Sequence, residues 1–385
     1  MKTDKKHSAN VFYIDPQSMI NLAKYDYYLL NGMDLPVYYF CSRYYDFDVS
    51  PKFCYKKVFR YNKKKQNWQK AVSYILSYLL ILLYVVRLQP RVIHIQWFRI
   101  PRFDYTFVRL LQRLFKVRVI FTAHNILPHQ GNEHKSEAVF QKAYRTFDKI
   151  IVHSLATKEQ MVQTFHIDAD KIEVISHGVL PFNIGIDEYE ACRKDYDRKY
   201  NLNGKIVFSA LGFQNHYKGS DLLAKVWASS PTLSQNPDCQ LLIIGKVNDN
   251  TIDFSMLNGL ENVIFDNRRI SDEEFIYLLR HTSVYLLPYR DISQSGALLT
   301  VMTEHIPVLV TDTGGMTEPL TIGNIGWKIQ PSDEQALRDM LEHLVANPAE
   351  IQAVRDNLDA WNKVCSHYDW NNISRQTQRL YESLL

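Results

Sequence analysis

The chain has 385 residues, which is longer than one hydrophobic core usually supports, so two domains are the starting expectation. Hydrophobic residues make up 46% of the chain and charged residues 22%, with 14 Gly and 14 Pro, which excludes disordered and fibrous classes. The five cysteines include no CxxC pair and have no histidine at zinc-finger spacing, which is typical of reduced thiols.

The net charge of +4 conceals an uneven distribution. Residues 52–118 contain 16 Lys and Arg and a single acid, Asp104, whereas the rest of the chain has 29 basic and 40 acidic residues. Nucleic acid, an anionic lipid or a phosphorylated substrate would each complement such a basic block. The amino terminus has no apolar stretch of signal-peptide length, so we expect a cytoplasmic protein.

The first half of the chain alternates short β-branched runs with helical patterns. The runs are VFYI at 11–14, VIHIQW at 92–97, VRVIFTAH at 117–124, KIIVHS at 149–154 and IEVISHG at 172–178. Strands that alternate with helices at these spacings indicate a parallel sheet with crossover helices. We therefore predict the α/β class and a Rossmann-like domain over residues 1–185.

Residues 71–86 form an uncharged stretch, AVSYILSYLLILLYVV, that resembles a membrane span. As a helix it would rise about 24 Å, which is short of a hydrocarbon core of about 30 Å. We favour a buried helix. The alternative is that the basic and aromatic residues of 52–70 lie against an anionic bilayer, where each Lys or Arg contributes about 1 kcal/mol. A solvated basic face explains any single lysine equally well.

Polar side chains occur at the ends of two runs in the first half. His124 and Asn125 follow VRVIF, and Gln96 alternates with His94 in IHIQW. The carboxyl ends of parallel strands face one crevice, where a histidine can donate a hydrogen bond or transfer a proton near neutral pH. A buried histidine bonded to the backbone, and ordinary packing of His94 and Gln96, are the structural alternatives.

A second α/β half follows a charged segment at 186–204, which reads as a helix and linker. Its runs are KIVFSALG at 205–212, CQLLIIG at 239–245, NVIF at 262–265, VYLLPY at 284–289 and PVLVTD at 307–312. We predict a second Rossmann-like domain over 205–367. A terminal helix is predicted within 368–385, with Asp369 or Asn371 as its N-cap.

Two loops of the second half have the composition of a diphosphate site. The Ser-Gln-Ser-Gly turn at 293–296 opens a helix, whose free N–H groups and positive dipole end suit a pyrophosphate. Lys218 follows the first strand of this half, at the edge where doubly wound sheets bind ligands, and lysine commonly binds phosphate. Each feature alone also has a structural explanation, because Ser-Gly turns cap helices without ligands and most single lysines are solvated.

Together these motifs resemble glycosyltransferase family 4, and most closely its bacterial members that build surface polysaccharides. The resemblance rests on FTAHNILPH, KIIVHS, KIEVISHGV, HYKGSDLL, SQSG, PVLVTDTGGMTE and a closing YDW, in this order from about residue 90 onward. It implies the GT-B fold, in which two Rossmann-like domains have parallel sheets facing a central cleft. It also implies a terminal helix that packs back on the N-terminal domain, and retaining transfer of sugar from a nucleotide-sugar donor.

The resemblance further implies a set of site residues. Lys218 matches the family's phosphate-binding lysine, 293–296 its diphosphate loop, and His124 the histidine that contacts the transferring sugar. His124 and Lys218 are therefore predicted to be catalytic. The predicted acceptor-side residues are Gln96, Asn125 and His129. The predicted donor-binding residues are Gly212, Asn215, Lys218, Tyr289, Arg290, Ser293, Gln294, Ser295, Gly296 and Glu318.

The resemblance implies a UDP- or GDP-sugar donor and a polysaccharide or lipid-linked saccharide acceptor. From the basic block itself we expect a peripheral contact of 52–70 with an anionic membrane and no nucleic acid. Fixed donors would stabilise the leaving diphosphate, which takes the acceptor's proton in a front-face reaction. No metal or other cofactor is needed. The Asp-x-Asp triplets at 46–48, 168–170 and 195–197 end no obvious core strand, and Asp168 and Asp170 are predicted to be helix-capping or turn residues.

Departures from the family pattern leave a second hypothesis open. Many members carry two glutamates where this chain has Ile292 and Thr300, and an arginine where it has Phe213 or Asn215. A catalytically silent nucleotide-sugar-binding or polysaccharide-assembly protein is therefore the alternative. A GT-B phosphorylase is a weaker hypothesis, because the chain is short and lacks a lysine-rich cofactor pocket. Nucleic-acid binding through 52–118 is weaker too, because the basic block lies within an α/β half.

Overall fold

The computed structural model describes residues 10–19, 21–47, 53–60, 66–126, 133–181 and 186–385. The chain divides into two compact units. Unit 1 combines Met1–Gly178 with Tyr368–Leu385, and unit 2 is Val179–His367. The division after Gly178 lies a few residues before the boundary expected at 185.

Strands and helices alternate along most of the chain. The first stretch of unit 1 contains β1 (Val11–Ile14), α1 (Asn21–Asn31), β2 (Val37–Ser42), β3 (Phe53–Phe59), α2 (Asn67–Leu88), β4 (Val92–Ile95), α3 (Pro101–Phe115), β5 (Arg118–Thr122), α4 (Glu133–Thr146), β6 (Lys149–Val152), α5 (Leu155–Phe165) and β7 (Ile172–Val174). Unit 2 contains α6 (Ile186–Tyr200), β8 (Ile206–Leu211), α7 (Ser220–Ser229), α8 (Pro231–Ser234), β9 (Cys239–Ile244), β10 (Val263–Asp266), α9 (Asp272–Arg280), β11 (Val284–Leu287), α10 (Gly296–Val301), β12 (Val308–Thr311), α11 (Glu318–Ile322), β13 (Gly326–Ile329), α12 (Glu334–Ala346), α13 (Pro348–Asp356) and α14 (Leu358–His367). The closing stretch of unit 1 contains α15 (Trp370–Glu382).

Unit 1 is built on a seven-stranded parallel sheet in the order β3-β2-β1-β4-β5-β6-β7. Strands β1 and β4 are buried along their whole length, which explains why their residues are almost all β-branched or aromatic rather than alternating with polar ones. Helices α2, α3, α4 and α5 contribute to the core on one face of the sheet, and α1 and α15 to the core on the other. The two layers sandwich the sheet.

Helix α2 buries only one of its sides. Tyr74, Tyr78, Ile81 and Val85 lie in the core, and the Tyr74 hydroxyl donates to the Asp104 carboxylate of α3 at 2.7 Å. The opposite side consists of exposed aliphatic residues. The prediction of a buried helix therefore holds for one side of α2 and is wrong for the other.

The terminal helix α15 packs against α1. The Ser374 hydroxyl donates to the carbonyl of Leu29 at 2.8 Å, and a Cβ on Gly32 would lie 2.3 Å from that hydroxyl oxygen, so glycine permits the close approach. On the sheet side, the buried Tyr381 hydroxyl lies 2.6 Å from Nδ1 of His94. This helix thus completes the core of unit 1.

Unit 2 is built on a six-stranded parallel sheet in the order β10-β9-β8-β11-β12-β13. Both sheets follow the strand order of a doubly wound Rossmann fold, so the prediction of two Rossmann-like domains is confirmed. The core of unit 2 surrounds the fully buried Trp227 of α7, whose ring meets Phe208 of β8 edge-on at 5.7 Å.

Much of the segment expected to link the domains is helix α6, which packs against α9 within unit 2. Lys199 and Tyr200 of α6 both donate to the Glu274 carboxylate of α9, at 2.7 and 2.5 Å. Burial alone would raise the pKa of Glu274, but hydrogen bonds from Arg268, Lys199 and Tyr200 outweigh it and lower the pKa to about 2. The described part of 186–204 is therefore an integral part of unit 2.

Candidate functional site

A lysine-bearing turn follows the carboxyl end of β8 in unit 2. The strand ends at Leu211, and the 3-10 turn His216–Lys218 leads into α7. Gly219 has a φ of +70°, and a Cβ there would lie 2.0 Å from the carbonyl oxygen of Pro288. Only glycine allows this approach, which holds Lys218 beside the end of β11.

The Lys218 ammonium has no ion-pair partner in the described part of the chain. Its side chain is half-buried, and its Nζ lies 5.7 Å from the ring centre of Tyr289. Burial lowers the pKa of Lys218 to about 8. A desolvated cation without a carboxylate beside it favours an anionic ligand, because the ligand would restore the charge interaction that burial removes.

A second unsatisfied group lies in the same pocket. The pocket is lined by Ala210, Leu211, Gln214, Lys218, Ser220, Tyr285, Leu286, Leu287, Pro288 and Tyr289. The buried hydroxyl of Ser220 finds no hydrogen-bond partner among the described residues. An unpaired buried hydroxyl is costly, but the cavity beside Ser220 is only about 10 Å³, which suits about one water molecule. Lys218, which is half-buried at the border of this cavity, is the group that remains accessible to a larger anion.

Arg290, predicted to stabilise a diphosphate, is held by a carboxylate instead. Its guanidinium donates to both oxygens of Asp221, at 2.7 and 2.8 Å, and also to the carbonyl of His216. Burial alone would raise the pKa of Asp221, but the hydrogen bonds and charge of Arg290 outweigh burial and lower it. Arg290 therefore fixes the Lys218 turn, and Asp221 neutralises its charge.

The Ser-Gln-Ser-Gly turn begins α10 and is joined to the following loop. The buried Ser295 is the N-cap, with its hydroxyl accepting from the N–H of Leu298 at 3.3 Å. The N–H of Gly315 donates to the Ser293 carbonyl at 3.0 Å. A Cβ on Gly314, where φ is +52°, would lie 1.8 Å from the carbonyl oxygen of Ile292. Two loops at the ends of β11 and β12 thus support one another.

The other predicted donor-side residues also lie at the carboxyl ends of unit 2 strands. Gly212 follows β8 with a φ of +96°, and the half-buried Asn215 precedes the Lys218 turn. Tyr289, which follows β11, is buried, and Gln294 in the next turn is half-buried. Glu318 begins α11 and is half-buried.

In unit 1, Gln96 and His124 contact each other beyond the ends of β4 and β5. His124 Nε2 lies 2.8 Å from Gln96 Oε1, and Gln96 Nε2 lies 3.0 Å from His94 Nε2. His94 is fully buried, and its ring nitrogens lie 2.6 Å from the Tyr381 hydroxyl and 2.7 Å from the Thr122 hydroxyl. His94 therefore has a structural role. Gln96 is fully buried too, so the prediction that it contacts the acceptor is wrong, and it instead connects His94 to the partly accessible His124.

His124 lies in a cluster of rings that keeps it neutral. Trp97 stacks on it with ring centres 4.6 Å apart, and Tyr25 meets it edge-on at 5.0 Å. Its Nδ1 lies 3.2 Å from Nε2 of His153, whose Nδ1 donates to the Ile175 carbonyl at 2.9 Å. Burial, with neighbouring histidines adding to it, holds the pKa of His124 well below its usual range. A neutral imidazole favours hydrogen bonding to a sugar over proton storage at neutral pH.

Of the two other residues predicted on the acceptor side, Asn125 and His129, the structure describes only Asn125. Asn125 is half-buried and directly follows His124. His129 lies outside the described residues.

Sequence reasoning did not select three further rings of this cluster. The Tyr25 ring centre lies 4.9 Å from His177 and 5.2 Å from Trp370, and 5.7 Å from His153. His153 and His177 follow the ends of β6 and β7 just as His124 follows β5, so the same strand-end rule would have found both. Trp370 belongs to α15, and no local pattern connects it to this site.

No group of three or more His, Cys, Asp or Glu side chains suited to a metal occurs in the ranges that the structure describes. Asp168 caps a turn by accepting from the N–H of Asp170 at 3.0 Å, and Asp197 accepts from the Tyr277 hydroxyl at 2.8 Å. Asp48, in the remaining triplet, lies outside the described residues. The prediction that no metal takes part stays a prediction.

Two family profiles match the chain, one in each half. The profile of Glycosyltransferase Family 4 matches residues 30–181, and that of Glycosyl transferases group 1 matches residues 204–347. The chain is 24% identical over 219 residues to the lipopolysaccharide core biosynthesis mannosyltransferase LpcC of Rhizobium leguminosarum bv. viciae, covering 55% of this chain and 60% of that protein. It is 19% identical over 296 residues to the O-antigen chain mannosyltransferase RfbU of Salmonella typhimurium, covering 70% and 74%. The match thus spans about three fifths of the length of LpcC.

The fold has solved relatives over nearly its whole length. Anabaena HepE in complex with UDP matches with a TM-score of 0.69 at 13% identity, covering 97% of this chain and 99% of that one. At this identity the likeness bears on the fold alone, and it confirms the predicted GT-B architecture of paired Rossmann-like domains. With the two profiles matching 30–181 and 204–347, the chain belongs to glycosyltransferase family 4.

Proposed function

We propose that this chain is a retaining glycosyltransferase that moves a sugar from a nucleotide-sugar donor to a saccharide acceptor. The observation that carries the proposal is the Lys218 ammonium, which is half-buried, lacks an ion-pair partner among the described residues and lies in one pocket with the unpaired Ser220 hydroxyl. A diphosphate would supply the missing negative charge. The names of LpcC and RfbU refer to a lipopolysaccharide core and an O-antigen chain, which supports a saccharide acceptor, and the UDP bound to HepE supports a nucleotide donor.

A glycine in the 293–296 turn supports a phosphate beside it. A Cβ on Gly296 would meet only the Leu180 side chain, at 3.9 Å, which is ordinary contact. The residue is exposed and its φ is not in the left-handed region, so the fold itself does not require glycine at this position. Close approach of a ligand to the backbone does explain the glycine. We assign the donor, a UDP- or GDP-sugar, to this edge of unit 2.

Retention without an enzyme nucleophile follows from a front-face reaction. The bond between the anomeric carbon and the diphosphate oxygen breaks while the acceptor hydroxyl attacks the same face, and the leaving oxygen takes the acceptor's proton. Lys218 and the N–H groups of 293–296 would stabilise the charge that grows on the diphosphate. Arg290 would act by holding the Lys218 turn. The step requires no metal.

The acceptor side is assigned to unit 1. The neutral His124 would hydrogen-bond the transferring sugar, and Asn125 would contact a polysaccharide or lipid-linked saccharide. Gln96, which is fully buried, would act by orienting His124. We propose that the reaction takes place in the cytoplasm, at the inner face of the membrane.

A catalytically silent nucleotide-sugar-binding protein is the second candidate. Ile292 and Thr300 are apolar or neutral where many family members carry glutamates, and Asp221 already neutralises Arg290. Binding of a donor with neither hydrolysis nor transfer would favour this candidate.

The test begins with thermal unfolding of the purified chain in UDP-, GDP-, ADP- and CMP-sugars. A ligand at 100 times its Kd stabilises by about 2.7 kcal/mol, so the true donor will raise Tm clearly above the others. Turnover is then measured with that donor, with and without EDTA, and NMR reads the anomeric configuration of the product. Lys218→Ala and His124→Ala should each lower kcat by about 100-fold or more when assayed well below each variant's own Tm, and Lys363→Ala, an exposed lysine of α14, should not. An inverted product, or normal turnover of Lys218→Ala, would refute the proposal.

A further inference from the structure

Helix α2 exposes a continuous stripe of aliphatic side chains on unit 1. The exposed residues are Val72, Leu76, Leu79, Leu80, Leu83 and Val86, and each is between 41% and 66% accessible. They recur every three or four residues, which places them on the same side of the helix, opposite the buried Tyr74 and Val85. A row of large aliphatic residues in water is unfavourable, and such patches mark binding surfaces.

Helix α3 extends this surface. The two helices belong to the same layer on one face of the sheet, and the ring of Phe103 in α3 lies 5.5 Å from the ring of Tyr78 in α2. Since both helices bury their inner sides, their outer sides are neighbours. Leu110 and Leu114 of α3 are 42% and 64% exposed. We call these two leucines and the six aliphatic residues of α2 the α2–α3 face.

The charge around the α2–α3 face is positive. Helix α2 contains no Asp or Glu, and the single acid of α3, Asp104, is buried beneath the surface, where it accepts from Tyr74 and from the N–H of Ile100. Arg109 and Arg113 of α3 lie beside the exposed leucines in the helical sequence and are themselves exposed. A partner must therefore be apolar inside and negatively charged at its surface.

Exposed cations continue beyond the two helices. They are Lys56, Lys57 and Arg60 of β3 and its end, Arg87 of α2, and Arg102 and Lys116 at the ends of α3. A bilayer that contains anionic lipid combines negative headgroups with a hydrocarbon interior. No ion pair of these side chains with a carboxylate occurs in the described ranges, which leaves their charge available to such headgroups.

We propose that the α2–α3 face docks unit 1 on an anionic membrane surface, with α2 lying in the plane of the interface. By length and composition α2 could cross a membrane, and no other helix among the described residues meets the same criteria. Its inner side, however, includes Ile81 and Val85, which are fully buried in the core of unit 1, so spanning would dismantle that core. Trp68, 63% exposed near the start of α2, suits the headgroup region, where indole rings concentrate.

This docking does not depend on the proposed sugar transfer. The contact predicted from the sequence was the basic segment 52–70, whereas the proposed contact is the apolar α2–α3 face, which begins where that segment ends. Lys56, Lys57, Arg60 and Lys70 lie at its border. A face that stays in water would have been polar. An acceptor or product carried by a lipid would be met at the membrane on which the enzyme lies.

The test is flotation of the full chain with vesicles of phosphatidylcholine alone and of phosphatidylcholine with phosphatidylglycerol. We expect binding to the anionic vesicles, weakened by salt. The double variant Leu76→Gln with Leu83→Gln should reduce the partition coefficient by at least about tenfold, since it removes apolar area from the bilayer while keeping good helix formers. The matched control is Leu358→Gln, an exposed leucine of α14 in unit 2, which should bind like the wild type.

The charge contribution is tested separately. Arg109→Gln and Arg113→Gln should each weaken binding by about fivefold at low salt, and Lys363→Gln should have no effect. Thermal unfolding of every variant verifies that unit 1 remains folded. Turnover with a soluble acceptor should stay at the wild-type rate in all of them, so failure of docking and failure of sugar transfer are distinguishable.

Several results would overturn the proposal. They are absence of binding to anionic vesicles, unchanged binding of the leucine double variant, and resistance of cell-membrane-bound protein to alkaline carbonate, which would indicate a spanning helix. A dimer in sedimentation analysis that the double variant dissociates, without vesicle binding, would instead assign the face to a second copy of this chain.

Discussion

Replacement of Lys218 by Met should stabilise the ligand-free protein and abolish donor binding. Met has a similar length without the charge. Burial lowers the pKa of Lys218 from 10.5 to about 8, and this difference corresponds to about 3 kcal/mol by which the folded state disfavours the ammonium. Since part of the side chain reaches water, we expect a gain of about 1–3 kcal/mol for unit 2 at neutral pH.

The same pKa fixes the sign of the pH dependence. Below about pH 8 the lysine is charged in both the folded and the unfolded chain, so the folded state bears the full free-energy cost of burying the ammonium. Between about 8 and 10.5 the unfolded chain binds more protons than the folded one, so wild-type stability rises with pH. The Lys218→Met variant lacks this rise, and its advantage over the wild type should shrink across that interval.

Thermal and urea unfolding of ligand-free protein, at neutral pH and above pH 8, measures the effect, and calorimetry measures donor binding. Lys363→Met serves as the control, because this lysine is exposed on α14 and should change neither quantity. A Lys218→Met protein that is less stable than the wild type at neutral pH would refute the view of Lys218 as an uncompensated cation. Donor affinity equal to that of the wild type would refute its role in binding.

Three further predictions concern the fold. Gly219→Ala should lower stability by at least about 2 kcal/mol more than Gly204→Ala, because both residues have positive φ but only at 219 would a Cβ strike the backbone, and comparison of their Tm values checks this. Tyr381→Phe should cost about 1–3 kcal/mol by leaving Nδ1 of the buried His94 unpaired, and a variant with unchanged urea midpoint would contradict that bond. Burial raises the pKa of Asp104 from 3.8 to about 7 against the opposing hydrogen bonds, so the folded state keeps a proton that the unfolded chain loses, and the stability of unit 1 should fall as pH rises between these values. Asp104→Asn should flatten that slope in pH-dependent unfolding, and an unchanged slope would show that another group causes it.

The central strands were predictable from sequence because they are buried and rich in β-branched residues. Strands β2 and β3 were both missed. Strand β2 is buried but has a single β-branched residue, Val37, and β3 is an edge strand that exposes Lys56 and Lys57 and so lacks an apolar run. Strand β13 is also at an edge and exposes Lys328. Of the two N-cap candidates for α15, Asp369 is confirmed, because it accepts from the N–H of Asn371, a bond that depends only on local sequence, whereas Asn371 lies within the helix.

The residues of the candidate site also differ in whether the sequence could identify them. Positions that follow a strand, such as Lys218 and His124, could be selected from their place in the chain alone. The pairing of Arg290 with Asp221 could not, because it connects two loops that are 69 residues apart. The sequence could not predict which side of α2 is exposed either, because the helix is apolar on both sides. Only the packing of Tyr74 and Ile81 shows which side faces the core.

The return of α15 to unit 1 has a consequence for synthesis on the ribosome. The chain finishes unit 2, about 190 residues long, before it supplies the last helix of unit 1. At about 5–20 residues per second, unit 1 would wait roughly 10–40 s with the surface beneath α15 uncovered. We therefore expect the second half to reach its native state first and nascent unit 1 to bind holdase chaperones, until α15 leaves the ribosome and covers this surface.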